Sequence, residues 1–186
     1  MTSIYEPAED SYLLQASLKK FLKNKLKNIQ ILDMGSGSGI QALTCKKLKF
    51  KNIIVADINP EAIENLKKQK LNTLKSNLFS NTKLKRKKFD LIIFNPPYLP
   101  EDKREPKDSR QNTTAGKKGY EIIIKFLKQS KSHLKNKESS ILLLFSSLSK
   151  PKTILNKAKE LNYNYEILNT QKLFFEELYV FRLRLP

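Results

Sequence analysis

Asn95-Pro96-Pro97-Tyr98 is a run whose residue types already suggest a chemistry. Four apolar residues, Leu91 to Phe94, precede it and read as a buried strand. The two prolines end that strand, because neither has an N–H to give a neighbouring strand. A residue before proline is held near extended geometry. Asn95 therefore sits at a strand tip with its amide facing the crevice beyond, and in an open α/β sheet ligands bind there. The arrangement suits a planar NH2 group, with carbonyl oxygens to accept its hydrogens and the Tyr98 ring to lie on its face. The plainer alternative is a Pro-Pro turn with Asn as a local cap.

A second constellation surrounds Asp33. Ile29 to Leu32 reads as a short apolar strand ending at Asp33, Gly35-Ser36-Gly37-Ser38-Gly39 follows, and a helical pattern runs from Ile40 to Leu48. Strand, glycine turn and helix form a nucleotide-binding half-unit. The dinucleotide fingerprint Gly-x-Gly-x-x-Gly fails, because Ile40 stands at its sixth position. Asp33, two residues before the first glycine, repels a pyrophosphate and attracts a cation. The loop, with Gly35 and Gly37, thus suits a cofactor with a cationic end, such as the amino group and sulfonium of S-adenosyl-L-methionine. Asn52 to Ala56 forms a further strand ending at Asp57, 20 residues after Gly37. A carboxylate there accepts from both ribose hydroxyls, and hydrogen bonds to a charged acceptor contribute roughly 1.5–3 kcal/mol. Asp57 as a helix cap is the alternative, although Asn59, before Pro60, can fill that post.

Several elements must hold these groups. Tyr5-Glu6-Pro7-Ala8-Glu9-Asp10 leads into a helix expected from Ala8 to Leu22, whose first-turn acids favour the positive end of the helix dipole. That capping account leaves Tyr5 and a second acid unexplained. A helix is expected from Pro60 to about Leu71, a weak strand over Leu74 to Phe79, a lysine-dense solvated loop over Ser80 to Lys88, and a strand over Phe89 to Phe94. Residues 99 to 118 read as a long loop after Tyr98, suited to a lid over the acceptor site. Helices are expected over Tyr120 to Leu134 and Pro151 to Leu161, with strands at Ser139 to Phe145, Tyr163 to Leu168 and Leu178 to Leu185. Phe174-Phe175-Glu176-Glu177 between the last two is amphipathic, and His133 reads as a dipole partner or bystander at a basic helix end. The alternation specifies an α/β fold: a doubly wound, mainly parallel sheet closed by an antiparallel hairpin.

The chain has 186 residues, long enough for one domain over 1–186 with its own core, and 39% of them are apolar. No run approaches the roughly 18 apolar residues needed to cross a bilayer, and no signal-peptide pattern opens the chain. The reading is a cytoplasmic protein without membrane contact. Cys45 is the single cysteine, which excludes an internal disulfide and a cysteine-based zinc site, and no metal is expected. The net charge is +18, which invites a nucleic-acid partner. The excess is nearly all lysine, whereas base recognition favours clustered arginine, so solvated lysine faces are preferred.

Taken together, the Asp33–Gly39 loop, Asp57 and Asn95-Pro96-Pro97-Tyr98 resemble the class I S-adenosylmethionine-dependent methyltransferases, whose sheet has seven strands. More narrowly they resemble the release-factor glutamine methyltransferases. Tyr5-Glu6-Pro7-Ala8-Glu9-Asp10-Ser11 looks like the archaeal and eukaryotic branch, as do Thr114-Ala115-Gly116 and Phe175-Glu176-Glu177-Leu178. The likeness covers nearly the whole chain. Its glycine loop specifies only the superfamily, Asn-Pro-Pro-Tyr narrows it to amide or exocyclic amine nitrogens, and the N-terminal motif is the most specific part. The resemblance implies that Ser11, Asp33, Gly35, Asp57, Asn77, Leu78 and Asn95 line the cofactor pocket. It further implies that Asn95 and the Pro96 carbonyl hold a substrate glutamine amide beside Tyr98. Asn77 stands where the family usually has Asp, so an uncharged carbonyl would meet the adenine amino group. The substrate-recognition domain of the bacterial branch has no counterpart. Members of this branch often work with a small zinc-binding activator subunit, and the weak third strand, a sheet edge in this fold, would be its docking place.

The implied activity is methylation of the glutamine amide in the Gly-Gly-Gln motif of a peptide chain release factor. A nucleic-acid adenine N6-methyltransferase would use the same Asn-Pro-Pro-Tyr geometry on a flipped base. Charge favours that rival; the short chain and scattered arginines do not. Lysine methylation and a non-catalytic cofactor-binding scaffold are the remaining alternatives, the last opposed by intact Asp33, Asp57 and Asn95.

Overall fold

The computed structural model describes residues 4–99 and 117–186. In chain order these form α1 (Glu9–Leu22), β1 (Gln30–Met34), α2 (Ile40–Lys47), β2 (Asn52–Asp57), α3 (Pro60–Lys68) and β3 (Asn72–Lys75). After them come β4 (Leu91–Phe94), α4 (Glu121–Ser130), β5 (Ser140–Ser146), α5 (Pro151–Glu160), β6 (Asn164–Lys172) and β7 (Glu177–Arg184). Two 3₁₀ turns, Lys131–His133 and Ser147–Ser149, flank β5. The described strands make one seven-stranded sheet in the order β3-β2-β1-β4-β5-β7-β6. The first five are mutually parallel, whereas β7 runs antiparallel between β5 and β6. This is the expected doubly wound sheet with its closing hairpin.

Alternate residues of each central strand feed opposite layers, because successive side chains leave a strand on opposite faces. Leu32, Met34, Ile92 and Phe94 point into a core shared with Ile123 and Phe126 of α4 and Ile154 of α5. Ile31, Ile53, Val55 and Ile93 meet Leu14, Leu18 and Leu22 of α1 and Ala42 and Cys45 of α2. Cys45 is a fully buried core residue, as expected. Both faces are covered, so the parallel strands read as continuous apolar runs rather than alternating ones.

The topology determines where the functional residues meet. The chain winds outward from β1 to β2 and β3, then returns to place β4 on the other side of β1. Met34 pairs in register with both Ala56 and Phe94. The tips of β1, β2 and β4 therefore end level, and Gly35, Asp57 and Asn95 emerge side by side at the point where the strand order reverses.

Several boundaries differ from the expectations: β4 starts at Leu91 rather than Phe89, and β6 runs on to Lys172 rather than Leu168, because its pairing with β7 continues past a register shift at Ile167/Asn169. β3 covers Asn72–Lys75 instead of Leu74 to Phe79. The Ser76 N–H bonds the Asp57 carbonyl, the Ser76 hydroxyl donates to the Leu78 carbonyl, and Leu78 turns left-handed at φ 51°. Those bonds end the strand and make residues 76–80 a turn. α3 stops at Lys68 rather than Leu71, because Lys70 is left-handed (φ 55°) and sends Leu71 back toward the helix. The helix expected to run to Leu134 ends at Ser130 and tightens into the 3₁₀ turn. There His133 Nδ1 meets the Lys87 carbonyl at 3.0 Å and its ring stacks on Phe79 at 4.2 Å, so His133 is a packed connector rather than a helix-end bystander. Residues 100–116, which hold most of the expected lid and the Thr114-Ala115-Gly116 motif, lie outside the described residues. No helix among the described residues is long and apolar enough to cross a membrane.

Candidate active site

The first glycine loop and the three strand tips enclose a cavity of about 610 Å³. Ser11, Asp33, Gly35, Gly37, Asp57, Asn77, Leu78, Asn95, Pro96 and Tyr98 all line it. The fold thus brings together every residue singled out for cofactor binding or catalysis. Such a volume lies within the ordinary range for small-molecule pockets.

Gly37 and Gly39 show why the loop needs glycine. Gly37 has φ +52°, and a Cβ on it would meet nothing within 4 Å, so the backbone faces open cavity space. Gly39 has φ +85° and caps α2; a Cβ there would lie 2.8 Å from Leu66 Cδ2. The first keeps room for a ligand and the second lets α2 pack closely on α3.

Asp33 is 2% exposed, and its Oδ2 accepts the Ala42 N–H at 3.1 Å, satisfying one free donor in the first turn of α2. Burial raises its carboxyl pKa from 3.8 to about 7, against the lowering effect of the Ala42 and Ser36 contacts. Asp57 holds the turns instead of being a bare acceptor. Its Oδ2 accepts the Gly37 N–H and its Oδ1 the Asn59 N–H, each at 2.8 Å. Each carboxylate oxygen retains acceptor capacity toward the cavity. The helix-cap role goes to Asn59, whose side chain accepts the Glu61 N–H.

Asn95 is not a local cap. Its Nδ2 donates to Asp10 Oδ2 at 2.9 Å across 85 residues of sequence. Asp10, 4% exposed, also accepts the Tyr5 hydroxyl at 3.1 Å and the Ser11 N–H through Oδ1. The Tyr5 to Ser11 segment is therefore a bracket for Asn95, which explains the tyrosine and second acid that helix capping left over. Among the described residues, Asn95 Oδ1 is buried with no hydrogen-bond partner, as is Gln41 Oε1 on the same cavity wall. Buried acceptors are normally satisfied, so these two oxygens ask for donors from a ligand. Donor-seeking oxygens, an acid, and a glycine cradle fit a cofactor with cationic and hydroxylated ends.

Beyond Asn95, the Tyr98 carbonyl accepts the Ser149 hydroxyl at 2.8 Å, which ties the motif to the turn after β5. Burial and the nearby Asp10 and Glu176 carboxylates push the Tyr98 phenol well above its ordinary pKa, so it stays protonated. Tyr5 is pushed up in the same way by burial and by Asp10. Asp10 and Gln41 are the site residues that sequence reasoning missed. For Asp10 the signal was present, as the unexplained second acid; for Gln41 only the folded wall identifies it.

Comparison with known proteins places this geometry. Residues 11–174 match the methyltransferase small domain family. A Methanocaldococcus jannaschii protein, provisionally named a protein N5-glutamine methyltransferase, is 40% identical over 95% of this chain and 89% of its own length. The release factor glutamine methyltransferase of Borreliella burgdorferi is 35% identical over 66% of this chain but only 46% of its own, so the chain spans less than half of that bacterial relative. Among solved structures, the E. cuniculi Mtq2–Trm112 complex, described as responsible for methylation of the eRF1 translation termination factor, superposes with a TM-score of 0.76 and 25% identity, covering 100% of both chains. With that coverage and identity, the chain belongs to the methyltransferase small domain family, within its protein glutamine N5-methyltransferases.

Proposed function

We propose that this protein methylates the side-chain amide nitrogen of a glutamine, in the Gly-Gly-Gln motif of a peptide chain release factor. The observation that carries the reading is Asn95 Oδ1, a buried acceptor beside the glycine loop that is unpaired among the described residues, with its orientation set by Asp10. The names of the M. jannaschii and B. burgdorferi relatives and the description of the E. cuniculi complex support the acceptor and the release factor.

S-adenosyl-L-methionine, when bound, supplies an electrophilic methyl group on a sulfonium. Asp33 and the Gly35–Gly37 turn would hold its amino-acid end with Ser11, Asp57 its ribose hydroxyls, and Asn77 and Leu78 its adenine. A glutamine amide is a weak nucleophile, since its lone pair is delocalised. Asn95 Oδ1 and the Pro96 carbonyl accept the two amide hydrogens and aim the nitrogen, while the Tyr98 ring covers the amide's face. Positioning of this kind contributes roughly 7–11 kcal/mol in favourable cases. The protonated Tyr98 is no base. The methylated nitrogen is acidic enough to release its proton without one.

The whole of 1–186 acts as one methyltransferase domain in this reading, with α1 as its short N-terminal helical segment. A small zinc-binding activator would dock along β3, which forms one edge of the sheet. The test is radiolabelled methyl transfer to a release factor, its Gln→Ala variant, lysine-bearing peptides, DNA and RNA. Label is expected on the glutamine factor alone, and Asn95→Ala should lose roughly a hundredfold or more of that rate while cofactor affinity holds. Label on the Gln→Ala factor, or only on nucleic acid, overturns the assignment.

A further inference from the structure

Two lysine-rich segments that are far apart in sequence lie against each other on the fold. One carries exposed Lys83, Lys85, Arg86, Lys87 and Lys88; the other carries exposed Lys125, Lys128, Lys131, Lys135 and Lys137. The Phe89 N–H donates to the His133 carbonyl at 2.8 Å, and the Lys135 N–H donates to the Phe89 carbonyl at 3.1 Å. Lys88 Nζ reaches the Ser132 carbonyl at 2.7 Å. Asp90 and Glu138 are the acids within these stretches, and Asp90 is paired to Lys135 at 3.2 Å.

Beside the second segment, against the turn at Phe79 and Ser80, lies a second hollow of about 310 Å³. Its wall offers the Gln129 amide, the Ser80 and Ser132 hydroxyls and the Lys125 ammonium, and no carboxylate among the described residues. Like charges gathered on adjoining segments repel one another wherever they lie within about a Debye length, roughly 8 Å at physiological salt. A polyanion relieves that repulsion, and hydroxyl and amide donors suit phosphate oxygens. Lysine serves as a point charge toward phosphate rather than a bidentate reader of bases, so the face is suited to a backbone and not to a sequence.

We propose that this face binds the phosphate backbone of nucleic acid, independently of methyl transfer and without reading bases. The test is fluorescence anisotropy of the full chain with labelled single-stranded RNA and DNA of about 30 nucleotides, titrated with salt. A variant carrying Lys83→Gln, Lys85→Gln, Lys87→Gln, Lys128→Gln and Lys131→Gln is compared with one of equal charge loss on α1, α2 and the turns that follow them. That control carries Lys20→Gln, Lys23→Gln, Lys46→Gln, Lys47→Gln and Lys51→Gln, all exposed positions. The first should bind about tenfold more weakly or worse, with a salt slope reduced by up to about 3, as expected for lost single-strand phosphate contacts. The control should stay within about twofold, and both should keep their glutamine methyl transfer and melting temperature. Equal loss in the two variants would show diffuse charge and overturn the proposal. So would polyglutamate competing as well as RNA, which would make the partner an acidic protein, or a more than tenfold preference between RNA and DNA.

Discussion

A buried amide can present either its oxygen or its nitrogen to a cavity, and nothing in Asn95 itself makes the choice. Asp10 makes it, because its carboxylate can only accept, so the nitrogen turns toward Asp10 and the oxygen toward the ligand space. In the proposed reaction Asp10 is thus a positioning residue that acts through Asn95. Asp10→Asn keeps the shape but lets the pair flip, and a hydrogen bond to a charged group contributes about 1.5–3 kcal/mol. We expect kcat to fall about 10- to 100-fold while KM for the protein substrate moves little; steady-state kinetics checks this. Asp33 yields a pH prediction. Its folded pKa of about 7 lies above its ordinary 3.8, so its contribution to stability is complete below about pH 3.8 and is lost as pH rises through 7. A cationic ligand end compensates the charge, so the melting-temperature gain from S-adenosylmethionine should be larger at pH 8 than at pH 6. Asp33→Asn should flatten that difference in scanning fluorimetry. Asn95 and Asp33 were legible because strand, proline and glycine signals are local. The Asp10 contact was not, because it spans 85 residues and exists only once α1 packs.

Three helices end alike, on a residue with positive φ: Lys49 (69°) after α2, Lys70 (55°) after α3 and Asn162 (62°) after α5. In each case the next N–H reaches back five residues, Phe50 to Cys45, Leu71 to Leu66 and Tyr163 to Ala158. The chain then turns into a strand. Glycine usually fills such a position, and a left-handed conformation costs an ordinary side chain roughly 1–2 kcal/mol, partly offset by glycine's unfolded-state freedom. Lys49→Gly and Lys70→Gly should therefore each raise stability by about 0.5–1 kcal/mol and the melting temperature by about 1–4 °C. Asn162→Gly should gain less, since Asn tolerates this conformation. Calorimetry of the three variants checks the ranking. The absence of glycine is also why α3 ends before its sequence pattern does: lysine carries no stop signal, and the helical spacing continues to Leu71. β3 was misplaced for a related reason. Leu78 and Phe79 are apolar and buried, yet they sit in a turn held by the Ser76 hydroxyl, and burial without periodicity does not separate strand from turn.

At the scale of the molecule, the alternation of strand and helix was enough to read the sheet, because parallel strands need helical crossovers and those take one hand. It was also enough to point to the candidate site, since reversal of strand order between β1 and β4 puts three strand tips together. What composition could not say is where the charge collects. The same lysines read as a solvated surface in sequence become one continuous face only when Lys87 and His133 meet. The amphipathic reading of the β6–β7 connection likewise missed its orientation. Phe174 and Phe175 stand edge to face at the hairpin tip, 94% and 84% exposed, with Leu148 43% exposed on the turn that bonds the hairpin through Ser147. A free chain must keep those rings wetted, which makes this end of the molecule its adhesive corner. Purified without a companion, the protein will tend to clump tip to tip as it is concentrated, and mild detergent or an added polar pair at the tip will keep it dispersed.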